Sequence, residues 1–134
     1  MPGFERGRNL DKIGLHAQDT AELFFQDVKV PKANVLGEPG KGFHYLMEGL
    51  AEERLIAACG YLANGRYAFD LTRKFVMERQ VFGKPLSDQQ NTQFRMAELD
   101  AELDMLQVFV DHLVAEHNAG RLTANAAAKA KMLG

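Results

Sequence analysis

The chain has 134 residues, 46% of them hydrophobic and 25% charged, with a formal net charge of −2 at pH 7. That profile fits one globular domain with a modest core and argues against a broad surface for nucleic acid or anionic membrane. The single cysteine, Cys59, excludes an internal disulfide and a cysteine-based metal cluster, and no run of about 18 apolar residues is present to span a membrane.

The opening stretch MPGFERGRNLDK has no apolar run of the secretory type. Residues 1–14 are polar and glycine-rich, carry Arg6, Arg8 and Lys12, and read as a loop or extended arm. Residues 21–30, AELFFQDVKV, place Leu23, Phe25, Val28 and Val30 in a broken alternation that favours a strand, ended by Pro31. Asn34 to Gly37, with Pro39 and Gly40, is turn chemistry. One or two strands are not stable alone. They are therefore expected to lie on the helices or to pair with strands outside this chain.

From about Gly42 to Met77 the pattern is helical and free of proline. A row of small residues, Ala51, Ala58, Gly65 and Thr72, runs beside a row of large ones, Leu55, Leu62, Phe69 and Val76. Together they predict one buried stripe. A second apolar face, with Leu46, Leu50, Ala57, Leu71 and Phe75, predicts a helix sandwiched between neighbours. Gly60 and Gly65 each cost about 1 kcal/mol of helix propensity relative to Ala, which predicts that packing or a ligand demands both.

The stretch RQVFGKPLSDQQ, Arg79 to Gln90, is a hinge punctuated by Gly83 and Pro85. Ser87 and Gln90 have the spacing of a capping box for the next helix. That helix is expected to run to about Asn118 and to close at Gly120. Its stripe is Gln89, Thr92, Met96, Leu99, Leu103, Leu106, Val110, Leu113 and His117, the spacing of a bundle seam. Thr123 is placed to cap a third helix. The expected fold is mainly α: an incomplete up-down bundle of two long antiparallel helices and a third, preceded by a short extended arm. Its uncovered apolar seam is expected to drive association with other chains.

Two places suit chemistry. Glu53 lies on the second apolar face near Ala57 and Gly60, where desolvation would raise its pKa and suit it to act as a base. The competing reading is a structural ion pair with Arg54 or another helix. Arg79 suits bidentate phosphate contact, near the amides of the following helix start. It equally suits balancing a helix macrodipole. His16, His44, His112 and His117 are scattered, with no metal-ligand spacing. Cys59 reads as a small core residue.

The segment KIGLHAQDTAELFFQDVKVPKANVLGEPGKGFHYLMEGLAEERL, followed by ERQVFGKPLSDQQNTQFRMAEL, resembles the acyl-CoA dehydrogenases. The most specific parts are Asp27-Val28-Lys29-Val30-Pro31, Gly40-Lys41-Gly42-Phe43, and Arg79 with Phe82-Gly83 and Gln90. The resemblance implies that residues 1–40 are the end of a β-type middle domain and 41–134 part of the C-terminal helical bundle. It implies an oxidoreductase that dehydrogenates an acyl-CoA thioester across its α and β carbons, with FAD as hydride acceptor and an electron-transfer flavoprotein as electron partner. A homo-oligomer built through the bundles is also implied, in a bacterial cytoplasm or a mitochondrial matrix. By resemblance Arg79 contacts the FAD pyrophosphate across a subunit interface. Gln80, Val81 and Phe82 follow along the cofactor, and Gln89 and Gln90 match a further FAD-contacting pair. Glu53-Arg54-Leu55 matches the long-chain and isovaleryl types, whose catalytic base sits on this helix, and Arg54 matches an arginine near the substrate. In most other members the base is a glutamate in a later C-terminal loop. The chain is expected to be a piece of such an enzyme and inactive alone. A non-catalytic helical association module is the alternative.

Overall fold

A computed structural model describes residues 1–134. The chain divides into two compact units, Met1–Gly42 and Phe43–Gly134.

The first unit is built on an antiparallel pair, β1 (Phe4–Asn9) and β2 (Ala21–Phe25). Phe4 faces Phe25, and Arg6 faces Leu23. The Phe4 and Phe25 ring centroids are 5.2 Å apart, an aromatic cross-strand contact that helps fix the register. β1 realises the extended-arm reading of residues 1–14 over Phe4–Asn9. Gly7 has a packing reason to be glycine, since a Cβ there would come within 2.8 Å of the Phe24 ring. The strand expected over 21–30 stops at Phe25. Asp27, at φ 52, turns the chain out of extended geometry there. The segment from Leu10 to Thr20 closes through the Leu10 N–H donating to the Thr20 carbonyl at 2.7 Å.

The second unit holds three helices: α1 (Gly42–Glu78), α2 (Gln90–Asn118) and α3 (Ala124–Leu133). α1 and α2 run antiparallel. Arg66 of α1 pairs with Asp100 at 3.3 Å and with Asp104 of α2, while Val76 shares a groove with Thr92 and Met96. The core joins Leu55, Ala58 and Leu62 of α1 to Val110 and Leu113 of α2 and Ala130 of α3. Each large apolar side chain buried there contributes about 1.5–3 kcal/mol. The small-residue row works as expected at Ala58, which is fully buried against α3. It also works at Gly65, where a Cβ would stand 3.2 Å from Leu103.

The second apolar face of α1 is not sandwiched. Leu46, Leu71 and Phe75 are all more than half exposed, while Leu50 and Ala57 of the same face are half-buried. Gly60 likewise faces open space, with nothing within 4 Å of a Cβ. Packing within the chain therefore crowds Gly65 but not Gly60.

α2 ends in a Schellman motif. Gly120, at φ 69, donates to the His117 carbonyl at 2.9 Å, and the Arg121 N–H to the Glu116 carbonyl at 2.8 Å. Thr123 caps α3 as its position predicts, its hydroxyl accepting from the Ala126 N–H at 3.2 Å. The result is mainly α: an incomplete helical bundle in the second unit, and a small β pair in the first. No helix is long and apolar enough to cross a membrane.

Candidate functional site

The hinge is a small β-hairpin. α1 closes as the Arg79 N–H donates to the Phe75 carbonyl at 2.9 Å. β3 (Gln80–Val81) then pairs with β4 (Lys84–Pro85), Val81 facing Lys84. Phe82 and Gly83 make the two-residue turn, at φ 53 and 76. Positive φ at both central positions is the type I′ pattern that matches the twist of a hairpin. Glycine adopts it freely; phenylalanine does so at a cost. The turn holds Phe82 almost wholly in solvent, 96% exposed.

The hairpin is locked at its base by the Leu86 N–H donating to the Arg79 carbonyl at 2.7 Å. A single 3-10 turn over Leu86–Asp88 follows, and α2 starts at Gln90. This corrects the capping box. Ser87 lies inside the 3-10 turn, and Gln89, extended at φ −76 and ψ 125, is the N-cap with no side-chain cap bond. Pro85 fixes the entry to the 3-10 turn, which shifts the helix start past Ser87.

The sequence-predicted cofactor residues thus share one corner. The Arg79, Gln80, Phe82 and Gln90 side chains are exposed, and Val81 and Gln89 are half-buried. Arg79 has no acidic partner in the chain. Its charge is left for an external anion or for the end of α1.

Glu53 is elsewhere. It lies early in α1 and Arg79 just past its end, about 40 Å apart along the axis at about 1.5 Å per residue. One chain does not bring these two together. Glu53 is exposed and makes no hydrogen bond or ion pair, Arg54 included. Neither the structural ion pair nor the desolvated setting expected for it is present within the chain. Arg54 is half-buried and faces α3, where it lines a groove of about 320 Å³ with Ala128, Lys131 and Met132. Lys131 escaped the sequence reading because nothing in its local pattern links α3 to Arg54. A larger apolar groove of about 720 Å³ runs between α1 and α2, lined by residues that include Phe69, Leu103 and Phe109, and ends at Leu133. No group of three His, Cys, Asp or Glu side chains converges to hold a metal.

Residues 40–134 match the family model of the acyl-CoA dehydrogenase C-terminal domain. The chain belongs to the acyl-CoA dehydrogenase family. It is 45% identical over 131 residues to the mitochondrial long-chain specific acyl-CoA dehydrogenase of Sus scrofa, covering 98% of this chain and 30% of that protein. It is 36% identical over 122 residues to the mitochondrial isovaleryl-CoA dehydrogenase of Oryza sativa subsp. japonica, covering 91% of this chain and 30% of that one. A crystal structure of an acyl-CoA dehydrogenase from Geobacillus kaustophilus superposes with a TM-score of 0.89 at 51% identity, over 96% of this chain and 34% of that chain. The chain therefore spans about a third of the length of the acyl-CoA dehydrogenases it matches.

Proposed function

We propose that this chain is part of a flavin-dependent acyl-CoA dehydrogenase and carries one face of each of two active sites. Residues 1–40 are assigned to the end of the β-type middle domain and 41–134 to the C-terminal bundle. The separation of Glu53 from the Arg79 hairpin carries this reading. Two sites about 40 Å apart on one helix cannot serve one flavin. They serve two, if the hairpin reaches the cofactor of a neighbouring subunit in a homo-oligomer.

The donor set at the hairpin fits FAD. Arg79 offers an unpaired guanidinium for a pyrophosphate. Phe82 offers an exposed aromatic face, and Gln80, Gln89 and Gln90 offer amides. FAD supplies the hydride acceptor. The chain's own chemistry falls to Glu53, which takes the α proton of the acyl-CoA thioester as the β hydride departs. Its exposure here leaves its carboxylate accessible, and closure of the site around an acyl chain would desolvate and strengthen it as a base. Arg54 orients the substrate beside it. The long-chain and isovaleryl relatives support placing the base on this helix. Electrons then pass to an electron-transfer flavoprotein, in a bacterial cytoplasm or a mitochondrial matrix.

The test uses the full-length enzyme. Glu53→Gln abolishes α-proton exchange while flavin stays bound; retained turnover would put the base elsewhere. Arg79→Ala lowers flavin content; unchanged flavin would remove the hairpin from the site. The chain alone is expected to purify colourless and without dehydrogenase activity, and a yellow, active preparation would contradict that. The exposed Leu46, Leu71 and Phe75 face favours a second reading, a non-catalytic oligomerisation module. A colourless, stable dimer that binds no flavin even within the full-length protein would favour it.

A further inference from the structure

Gly60 stands in the interior of α1, where glycine has no side chain to pack and weakens the helix. Five residues on, Gly65 is crowded by Leu103 at 3.2 Å, whereas a Cβ at Gly60 would meet nothing within 4 Å. The clearance at Gly60 thus serves no packing inside the chain.

Gly60 shares a face of α1 with Glu53. Seven residues make almost two helical turns, so the two positions lie in line, about 10 Å apart at about 1.5 Å per residue. Between them on that face stand Ile56 and Ala57, three and four positions after Glu53. Ile56 is 63% exposed and Ala57 half-buried. The strip leading away from Glu53 is apolar, uncharged and open at Gly60. On the other side of Glu53 the helix leads back to its start at Gly42, the positive end of its dipole.

A thioester whose α carbon sits at Glu53 has two unlike ends. CoA carries a diphosphate and is favoured toward the positive end of the helix. The acyl tail is hydrocarbon and gains by leaving water along an apolar surface. The two ends depart from the α carbon in opposite directions, which sends the tail over Ile56 and Ala57 toward Gly60.

We propose that Gly60 sets the acyl-chain length the enzyme accepts, by leaving open the passage through which a long tail runs along α1. This rests on Glu53 being the base and extends that reading to a substrate class, long-chain acyl thioesters. A short acyl group ends before Gly60 and does not sense it. A side chain at this position stands in the path of a long one.

The test compares Gly60→Val and Gly60→Ala in the full-length enzyme. Butanoyl-CoA and hexadecanoyl-CoA serve as substrates, and the corresponding S-alkyl-CoA thioethers, which have no carbonyl to activate an α proton, serve as calorimetric binding probes. The unaltered enzyme turns over both thioesters. Gly60→Val lowers kcat/KM for hexadecanoyl-CoA about tenfold, with a matching loss of long-thioether binding, and leaves butanoyl-CoA within about twofold. Gly60→Ala gives a smaller loss in the same sense. Gly49→Val, on the other side of Glu53 where a Cβ also meets nothing within 4 Å, does not discriminate by chain length. Equal losses for both thioesters at Gly60, no loss for either, refusal of hexadecanoyl-CoA by the unaltered enzyme, or a chain-length effect at Gly49 in place of Gly60 would each overturn the proposal. Retained turnover in Glu53→Gln is a separate failure: it removes the base reading on which the direction of the tail depends, whatever the Gly60 variants do.

Discussion

Arg121 grips Glu116 from beyond the end of α2, with Nε donating to Oε2 at 3.0 Å and Nη2 to Oε1 at 2.6 Å. The same two residues are joined through the main chain, where the Arg121 N–H donates to the Glu116 carbonyl. The turn between α2 and α3 is thus fastened twice, by backbone and by a forked ion pair. The Arg121 hydrogen bond holds the Glu116 carboxyl below its ordinary value. Charge attraction from Arg121 and His112 adds to this, and burial opposes it.

A depressed carboxyl pKa stabilises the fold above the unfolded-state value, and that contribution is lost as pH falls through the folded-state value. Arg121→Ala should therefore raise the Glu116 pKa toward the normal carboxylate range. It should also flatten part of the acid limb of the stability–pH curve. Side-chain carbon NMR titration of Glu116 reads the first effect directly. A Glu116 titration curve identical in the two proteins would mean the fork is not maintained in solution.

The two helical glycines of α1 should respond differently to substitution. Gly60 faces open space, so Gly60→Ala should recover about 1 kcal/mol of helix propensity. At Gly65 the new methyl must displace the Leu103 side chain, which stands 3.2 Å from it. Leu103 borders the open α1–α2 groove and can shift, so Gly65→Ala should gain less, about 0.5 kcal/mol. Gly65→Leu cannot be absorbed and should lose about 1–3 kcal/mol. Urea denaturation midpoints rank the three, and a stable Gly65→Leu protein would show that α1 and α2 do not approach here.

These glycines also mark where sequence and structure part. Gly65 sits in the row of small residues, and its role follows from helical spacing alone. Gly60 needs a neighbour to explain it, and no element of this chain supplies one. The long helices were legible because period and proline absence act locally. β1 was legible only as loop or extended arm, because its pairing with β2 spans a loop and its glycine and arginines resemble coil. The hairpin was missed for a related reason: two-residue strands leave no alternation to read, and Phe-Gly is not the usual Asn-Gly signal for a type I′ turn. Ser87 and Gln90 have capping-box spacing, but Pro85 leads into a 3-10 turn that uses those residues differently. Of the candidate site, the shared corner of Arg79 to Gln90 was readable. The facing of Arg54 and Lys131 was not, since only tertiary packing creates it.

Core truncations should reveal how open the bundle is. Leu62 and Leu113 are both nearly fully buried. Leu62 also lines the 720 Å³ groove, whereas Leu113 does not. Leu62→Ala enlarges a space that already opens to solvent and should cost about 2 kcal/mol. Leu113→Ala leaves a closed cavity and should cost about 3–4 kcal/mol. Equal losses in chemical denaturation would mean that the groove is filled in solution, and addition of the missing occupant should then change the Leu62→Ala value alone.

Phe82 sets stability against the proposed function most directly. An aromatic residue at φ 53 carries a backbone cost of about 1–2 kcal/mol, and at 96% exposure it recovers none of it by burial within the chain. Asn occupies the left-handed region far more readily and is common at this turn position. Phe82→Asn should therefore raise the stability of the isolated chain, by up to about 1 kcal/mol, with the hairpin intact. In the full-length enzyme the same substitution should lower flavin retention, because it removes the aromatic face that the strained turn presents. Both halves are measurable, the first by thermal or urea unfolding and the second by the flavin-to-protein absorbance ratio. A gain in stability with flavin content unchanged would leave the strain at Phe82 without a purpose in the cofactor site.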